Sequence, residues 1–174
     1  QYEHKRVSSL TCPDPDEVMG INSRDQMAEA EAILRKRINL RHMRDGVTLI
    51  DPSRTYIGMD VTIGRDTTLY PDCYLEGKTC IGSGCVIGPN TRIVNCEIGN
   101  EVEIRGFCFF TGSSVRDLAV LGPFSHLRPG TEIHEAAHIG NFVEVKKSII
   151  GAGSKVNHLS YIGDTEMGEG VNIG

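Results

Sequence analysis

The sequence predicts a mainly β protein, in which one α-helical arm precedes a parallel β-helix of about seven coils. Three observations predict it. From Ile57 to Ile173 a large apolar residue, the anchor, recurs at steps of six residues, with a few steps of five. From Ile63 onward the residue two positions before each anchor is small. Gly directly follows about half of the anchors, as in Ile87-Gly88.

The spacing of the anchors predicts three walls per coil. A residue and its neighbour two positions earlier lie on the same face of a strand, so both point inward. The large residue then fills a narrow interior, and the small one lies where two walls converge. The steps of five residues all leave the same one of three walls: they are 93 to 98, 110 to 115, 145 to 150 and 162 to 167.

The arm before the repeat contains one predicted helix. Ser23 is a suitable N-cap, with Gln26 three residues later. An apolar stripe predicts an amphipathic helix over about residues 24–43: Met27, Ala30, Leu34 and Ile38. Gly46 is a suitable stop, and residues 17–22 are a possible strand. We therefore divide the chain into residues 1–22, a linker helix at 23–46, and a β-helix domain at 47–174.

Composition and charge exclude several functional classes. The 174 residues carry a net charge of −5, so sequence-independent binding of nucleic acid is not expected. No apolar stretch approaches the length of a membrane-spanning helix. The N-terminus does not resemble a secretory signal, and we therefore expect a cytoplasmic location.

The six Cys residues lack the CxxC spacing of a structural zinc site. Four of them occupy the small inward position of the repeat and are expected to be buried, unreactive thiols: Cys73, Cys85, Cys96 and Cys108. Cys12 and Cys80 lie outside that position, and the sequence does not assign them a role.

Two cations in the repeat suggest an anion site. Arg128 and Lys146 each follow an anchor of the same wall, 18 residues apart, so they should stack on adjacent coils. Two cations held so close repel each other, and an anion between them would relieve the repulsion. The alternative is that both are ordinary surface cations paired with Glu144 or Glu132.

One histidine is a candidate general base. His158 lies near the corner that leads to Tyr161 and the following anchor. A neutral imidazole is the natural base for an amine nucleophile near pH 7, although a lone His is more often structural. Lys155 and Asn172 occupy equivalent positions one coil apart.

Longer stretches carry a family resemblance. Residues 121–130 (LGPFSHLRPG), 138–147 (HIGNFVEVKK), 153–164 (GSKVNHLSYIGD) and 170–174 (GVNIG) resemble the bifunctional N-acetylglucosamine-1-phosphate uridyltransferase / glucosamine-1-phosphate acetyltransferase family. Residues 20–24 and the helix after them resemble its inter-domain segment. The resemblance covers nearly the whole chain and implies a left-handed β-helix, whereas the general rule for parallel crossovers favours right-handed connections.

The resemblance implies acetyl transfer from acetyl-CoA to the amine of glucosamine-1-phosphate in the synthesis of UDP-N-acetylglucosamine, a precursor of peptidoglycan. It implies that Arg128 and Lys146 bind the sugar phosphate and that His158 is the base. Tyr161 and Asn172 would line the sugar and acetyl site. Such acyltransferases are homotrimers, and Phe124, Phe142 and Tyr161 are candidates for outward contacts.

The resemblance also implies a second activity, a Mg²⁺-dependent uridylyl transfer, for which Asn22 matches a metal and product ligand. The nucleotide-binding loop of that site does not occur in this sequence, so uridyltransferase activity is not expected. The family continues with further coils that bind acetyl-CoA. We therefore expect a fragment with weak or no acetyltransferase activity.

Two other functions stay open. The γ-class carbonic anhydrases are also left-handed β-helices and hold zinc with three His between subunits. Four His residues of this chain permit a metal site of that kind, with a third ligand supplied by a neighbouring subunit: His126, His134, His138 and His158. A non-catalytic β-helix that serves only assembly is the other alternative.

Overall fold

The computed structural model describes residues 8–174. The chain divides into two compact units, of which the first ends at Arg35 and the second comprises Lys36–Gly174. The boundary therefore falls within the single long helix, α1 (Arg24–Arg44). Over residues 8–174, no helix has the length and apolarity that crossing a bilayer requires.

The second unit is a solenoid with three parallel walls, which we call A, B and C. Wall A has the strands Thr48–Leu49, Thr68–Leu69, Val86–Ile87, Glu103–Ile104, Val120–Leu121, His138–Asn141, Lys155–His158 and Asn172–Ile173. Wall B has Thr55–Ile57, Cys73–Glu76, Arg92–Val94, Phe109–Thr111, His126–Leu127, Glu144–Lys146 and Tyr161–Gly163. Wall C has Thr62–Ile63, Cys80–Ile81, Glu97–Ile98, Ser114–Val115, Glu132–Ile133, Ile149–Ile150 and Glu166–Met167.

The predicted anchors form the core of this solenoid. Those from Ile57 to Ile173 point inward and are buried, except Ile63 and Ile173, which are half-buried. Wall B is the wall that the five-residue steps leave, and its strands pair in register at every coil, as Leu127 pairs with Val145. The predicted β-helix of about seven coils is therefore confirmed.

The solenoid begins earlier than the regular six-residue period. Thr48 and Leu49 add an eighth strand to wall A by pairing with Thr68 and Leu69. A short 3₁₀ helix, Pro52–Arg54, follows that strand and lengthens the first coil, which removes it from the six-residue pattern.

The corners turn through residues with positive φ. At the corner from wall A to wall B these residues are not all Gly: Asn90, Phe107, Phe124, Phe142 and Leu159 have φ between 50° and 58°. Side chains in this conformation are uncommon. The fixed turn brings the last residues of a wall A strand close to the first residues of wall B.

The four Cys residues in the small inward positions are all buried, as the repeat predicts. Burial raises the pKa of the Cys73 thiol to about 11 and also raises the pKa of Cys85 and Cys108. Cys80 is exposed and Cys12 is half-buried, and all six are free. The four buried thiols therefore fill space in the interior, and none of the six Cys residues forms a cross-link.

The first unit contains the predicted helix start but not the possible strand. The amide N–H of Gln26 lies 3.5 Å from Ser23 Oγ, and the Gln26 side chain accepts from the N–H of Asn22 at 2.7 Å. The strand considered for residues 17–22 is wrong, because Pro15–Val18 is a 3₁₀ helix capped by the Asp14 carboxylate. The apolar stripe is only partly buried, and Met27 is 57% exposed.

The last turns of α1 belong to the second unit. Ile38, Asn39 and His42 are buried there. The Asn39 side chain donates to the carbonyl oxygens of Pro52 at 2.8 Å and Thr55 at 2.9 Å. Burial lowers the pKa of His42, with a smaller contribution from the charge of Arg41. This part of the helix is thus bound to the first coil of the solenoid.

Candidate functional site

The two predicted cations leave the same wall on adjacent coils. Arg128 and Lys146 directly follow the paired residues Leu127 and Val145 of wall B, and the Arg128 N–H donates to the Val145 carbonyl at 2.8 Å. Lys146 is in turn paired with Gly163 on the following coil. Their backbones are therefore about 4.8 Å apart, the spacing of neighbouring strands. We call Arg128, Lys146 and Gly163 the cation column.

Only one of the two cations is in an ion pair among residues 8–174. Arg128 Nη1 lies 3.0 Å from Glu144 Oε1, and both side chains are about 40% exposed. Pairing with Glu144 was one of the alternatives considered for Arg128, whereas Glu132 lies on wall C, 3.9 Å from His134. The described residues provide no such partner for Lys146, so its charge is available to an anion.

Tyr161 lies on the same wall, in the adjacent column of side chains. It pairs with Glu144 on the preceding coil, and Glu144 pairs with His126. Tyr161 is 58% exposed. A phenol therefore stands beside the cation column, at the coil that follows Lys146.

His158 lies on the other side of the A-to-B corner in the same coil as Tyr161. It ends the wall A strand Lys155–His158 and pairs with Asn141 on the preceding coil. Only Leu159 and Ser160 separate it from Tyr161, and the Ser160 hydroxyl donates to the His158 carbonyl at 2.9 Å. The imidazole is exposed. The corner thus places a potential base three residues before the phenol, in the same coil.

Asn172 is one coil further along wall A. It pairs with Lys155, as their equivalent positions predict, and its side-chain oxygen accepts a hydrogen bond from Asn157 Nδ2 at 2.8 Å. The structure therefore places Arg128, Lys146 and Tyr161 on wall B, His158 across the corner from Tyr161, and Asn172 on the next coil of wall A.

Asn22 belongs to the first unit and is exposed. Within residues 8–174 no group of three or more His, Cys, Asp or Glu side chains is arranged to hold a metal ion. A single amide oxygen does not satisfy Mg²⁺, which requires octahedral coordination by oxygen. The described residues therefore do not fit a Mg²⁺ site by themselves.

The histidines considered as zinc ligands lie on all three walls, and only His138 and His158 share one, wall A. His126 is on wall B, His134 follows a strand of wall C, and His138 is on wall A. Burial lowers the pKa of His138, and the nearby charges of Arg105 and Lys155 lower it further. Within one chain these side chains therefore do not converge.

Sequence reasoning missed part of an aromatic ladder on the A-to-B corner. Phe107 stacks on Phe124 and Phe124 stacks on Phe142, each at 5.0 Å between ring centroids. Phe124 and Phe142 were expected to face outward, and they do, with 45% and 55% exposure. Phe107 was not singled out, although its spacing of 17 residues from Phe124 places it at the same corner. We call Phe107, Phe124 and Phe142 the corner ladder.

Comparison with known families supports the repeat. Residues 60–95 match the model of the family described as bacterial transferase hexapeptide (six repeats). The chain is 55% identical over 159 residues to the bifunctional protein GlmU of Clostridium beijerinckii and 47% identical over 172 residues to that of Trichlorobacter lovleyi. These matches cover 91% and 99% of this chain. The chain spans only 35% and 37% of the length of those two relatives.

Solved structures show the same fold at low sequence identity. A Bacillus cereus protein assigned as an acetyltransferase aligns with a TM-score of 0.60 at 17% identity, over 68% of this chain and 75% of its own. A UDP-N-acetylglucosamine acyltransferase from Campylobacter jejuni aligns with a TM-score of 0.51 at 12% identity, over 74% and 66%. Both likenesses concern the fold, which with the hexapeptide match confirms a left-handed β-helix.

Proposed function

We propose that this chain, which matches the hexapeptide-repeat transferase model over residues 60–95 and is similar to about a third of the length of the bifunctional GlmU proteins, binds glucosamine-1-phosphate as an acetyl acceptor. The acetyl donor is acetyl-CoA. The product belongs to the synthesis of UDP-N-acetylglucosamine. The uridylyl transfer with Mg²⁺ would be an activity of the whole bifunctional proteins, and the residues described for this chain do not make that site.

The observation that carries the proposal is the register of the cation column. Arg128 and Lys146 project from adjacent coils of wall B, and Lys146 has no ion pair among residues 8–174. A phosphate monoester carries nearly two negative charges near neutral pH and accepts hydrogen bonds from both cations at once. A guanidinium and an ammonium one coil apart therefore favour a phosphate over a carboxylate.

The site residues divide the chemistry between binding and proton transfer. The cations hold the phosphate, and Tyr161 borders the sugar ring. The free 2-amino group attacks the thioester carbonyl of acetyl-CoA, and His158 accepts the proton of the amine as the C–N bond forms and the thiolate of CoA leaves. A positioned base of this kind contributes about 10²- to 10⁴-fold in rate. Asn172, one coil away, borders the acetyl group.

We also propose that the chain assembles as a homotrimer in the cytoplasm. The corner ladder exposes three stacked Phe rings beside the site, which supports contact with further copies. All six Cys residues are free, which suits a reducing compartment. A metal-dependent lyase is less favoured, because His126, His134 and His138 lie on three different walls.

The proposal is tested by calorimetric titration of this chain with glucosamine-1-phosphate. We expect Lys146→Ala and Arg128→Ala each to weaken binding by about tenfold or more, since each removes a charge-assisted hydrogen bond of about 1.5–3 kcal/mol. Arg116→Ala is the matched control, because Arg116 follows the anchor of a wall C strand in the equivalent position. Equal losses in all three variants would refute a phosphate site at the cation column.

The role of His158 is tested separately, by acetyl-CoA turnover with the same sugar phosphate. His158→Ala should leave binding of glucosamine-1-phosphate nearly unchanged and lower the rate of transfer by about 10²-fold or more. Undiminished turnover in His158→Ala would show that another group accepts the proton.

A further inference from the structure

The coil that follows Lys146 in the cation column has no side chain of its own. Gly163 occupies that position, in register with Lys146. The ring of Tyr161 occupies the space instead. A Cβ built on Gly163 would lie 2.5 Å from the Tyr161 phenol oxygen, 2.7 Å from its Cε1 and 2.8 Å from its Cζ. The ring therefore crosses from its own column and lies over the backbone of Gly163.

Two other tyrosines, Tyr56 and Tyr74, lie in the same column of wall B as Tyr161, and their rings are oriented differently. Tyr56 is also followed two residues later by a glycine, Gly58, yet a Cβ built on Gly58 would first meet the Leu75 carbonyl at 3.3 Å and the Val61 side chain at 3.5 Å. Tyr56 stacks on Tyr74 along the column, at 4.4 Å between ring centroids. The orientation of Tyr161 across the wall is thus a local feature of Gly163 rather than of the repeat.

The backbone does not require a glycine at position 163. Gly163 ends a wall B strand and is not among the residues with positive φ. An alanine is compatible with that conformation, as at any strand position. The contact that an added methyl group would disturb is the one with the Tyr161 ring.

We propose that Gly163 is a positioning residue for the acceptor. Its missing side chain seats the Tyr161 ring directly beyond Lys146, so that the two cations and the phenol form one continuous binding strip for a phosphosugar. The phosphate takes the cation end of the strip and the sugar takes the phenol end. This inference rests on the proposed function and deepens it, because it assigns the recognition of the sugar to the placement of a single ring.

The test is a double-mutant cycle on this chain with two ligands, glucosamine-1-phosphate and inorganic phosphate. Gly163→Ala and Tyr161→Ala should each weaken binding of the phosphosugar by about three- to tenfold, the size expected for one lost side-chain contact, and leave binding of inorganic phosphate unchanged. In the Tyr161→Ala background, Gly163→Ala should cost nothing more, because the ring that it displaces is gone. Gly168→Ala is the control, since an added Cβ there meets no atom within 4 Å.

A second measurement does not depend on the Gly163 variant being folded. A ring lying over Gly163 shifts the NMR resonances of its Hα protons, and Tyr161→Ala should abolish that shift. The inference is overturned if the shift is absent, or if Gly163→Ala binds the phosphosugar as tightly as the unchanged chain while Lys146→Ala does not. It is also overturned if Gly163→Ala weakens binding equally with and without the Tyr161 ring. If Lys146→Ala leaves the binding of both ligands unchanged, the proposed function itself fails.

Discussion

At the scale of single residues, the interior positions show how the repeat constrains chemistry. Cys108 Sγ lies 3.3 Å from the hydroxyl of Ser125, and Cys96 Sγ lies 3.3 Å from that of Ser113. These two thiols thus each find a hydroxyl partner one coil away, which offsets the cost of burying both groups. Burial raises the pKa of the Cys108 thiol, so its ionisation should be coupled to unfolding.

We predict that Cys73 makes the chain less stable in alkali. The pKa of its thiol is about 11 in the folded chain, raised by burial from an ordinary value of 9.0. Above pH 9 the unfolded thiol loses its proton while the folded one keeps it, so stability falls as the pH rises from 9 to about 11. The free energy of unfolding in urea, measured at pH 8 and pH 10.5, should therefore drop less for Cys73→Ala than for the unchanged chain.

Cys80→Ala provides the control for this prediction, because Cys80 is an exposed thiol of the same solenoid. Between pH 8 and pH 10.5 the free energy of unfolding of Cys80→Ala should drop by as much as that of the unchanged chain. If Cys73→Ala also matched it, the Cys73 thiol would ionise as readily in the folded state as in the unfolded state.

At the scale of elements, the sequence predicts those parts of the fold in which one physical rule acts alone. The narrow interior admits only large residues at the anchors and small ones two positions before them, so three walls and the register of Arg128 with Lys146 follow from spacing. The strand Thr48–Leu49 escapes prediction because the 3₁₀ helix after it interrupts the period. The path of the Tyr161 ring also escapes, since it depends on a side-chain rotamer that no spacing encodes.

The end of α1 is a second feature that the apolar pattern does not predict, because its decisive residue is polar. Asn39 is buried and bonds two carbonyl groups beside the first strand of wall B. We predict that Asn39→Ala lowers the free energy of unfolding by about 2–3 kcal/mol, because it removes both hydrogen bonds and leaves the carbonyl of the buried Thr55 without this partner.

Lys36→Ala is the comparison for Asn39, since it changes an exposed residue in the same part of α1 and should alter stability by less than about 0.5 kcal/mol. Both variants can be measured by urea unfolding at pH 7. A loss below about 0.5 kcal/mol for Asn39→Ala would mean that the two hydrogen bonds contribute nothing net to the attachment of the helix.

At the scale of the whole solenoid, the corner ladder connects the repeat to assembly. Phe107, Phe124 and Phe142 have positive φ, a conformation that costs about 1–3 kcal/mol for a residue other than Gly. The rings nevertheless point outward and stack at the spacing of the coils. A partner surface meets every ring of such a ladder only if it has the same repeat along the same direction. A parallel copy of this chain satisfies that condition.

We therefore predict that the chain has three times the mass of one protomer in light scattering after gel filtration. Replacing Phe124 and Phe142 together by Asn should shift it to the monomer. Asn tolerates positive φ, and Asn90 already occupies the same corner with φ of 56°, so the backbone gains no strain. Leu118→Asn is the matched control, because Leu118 is 53% exposed at another corner with φ of 62°. A monomer before any substitution, or a trimer that survives the loss of both rings, would exclude the corner ladder as the assembly surface.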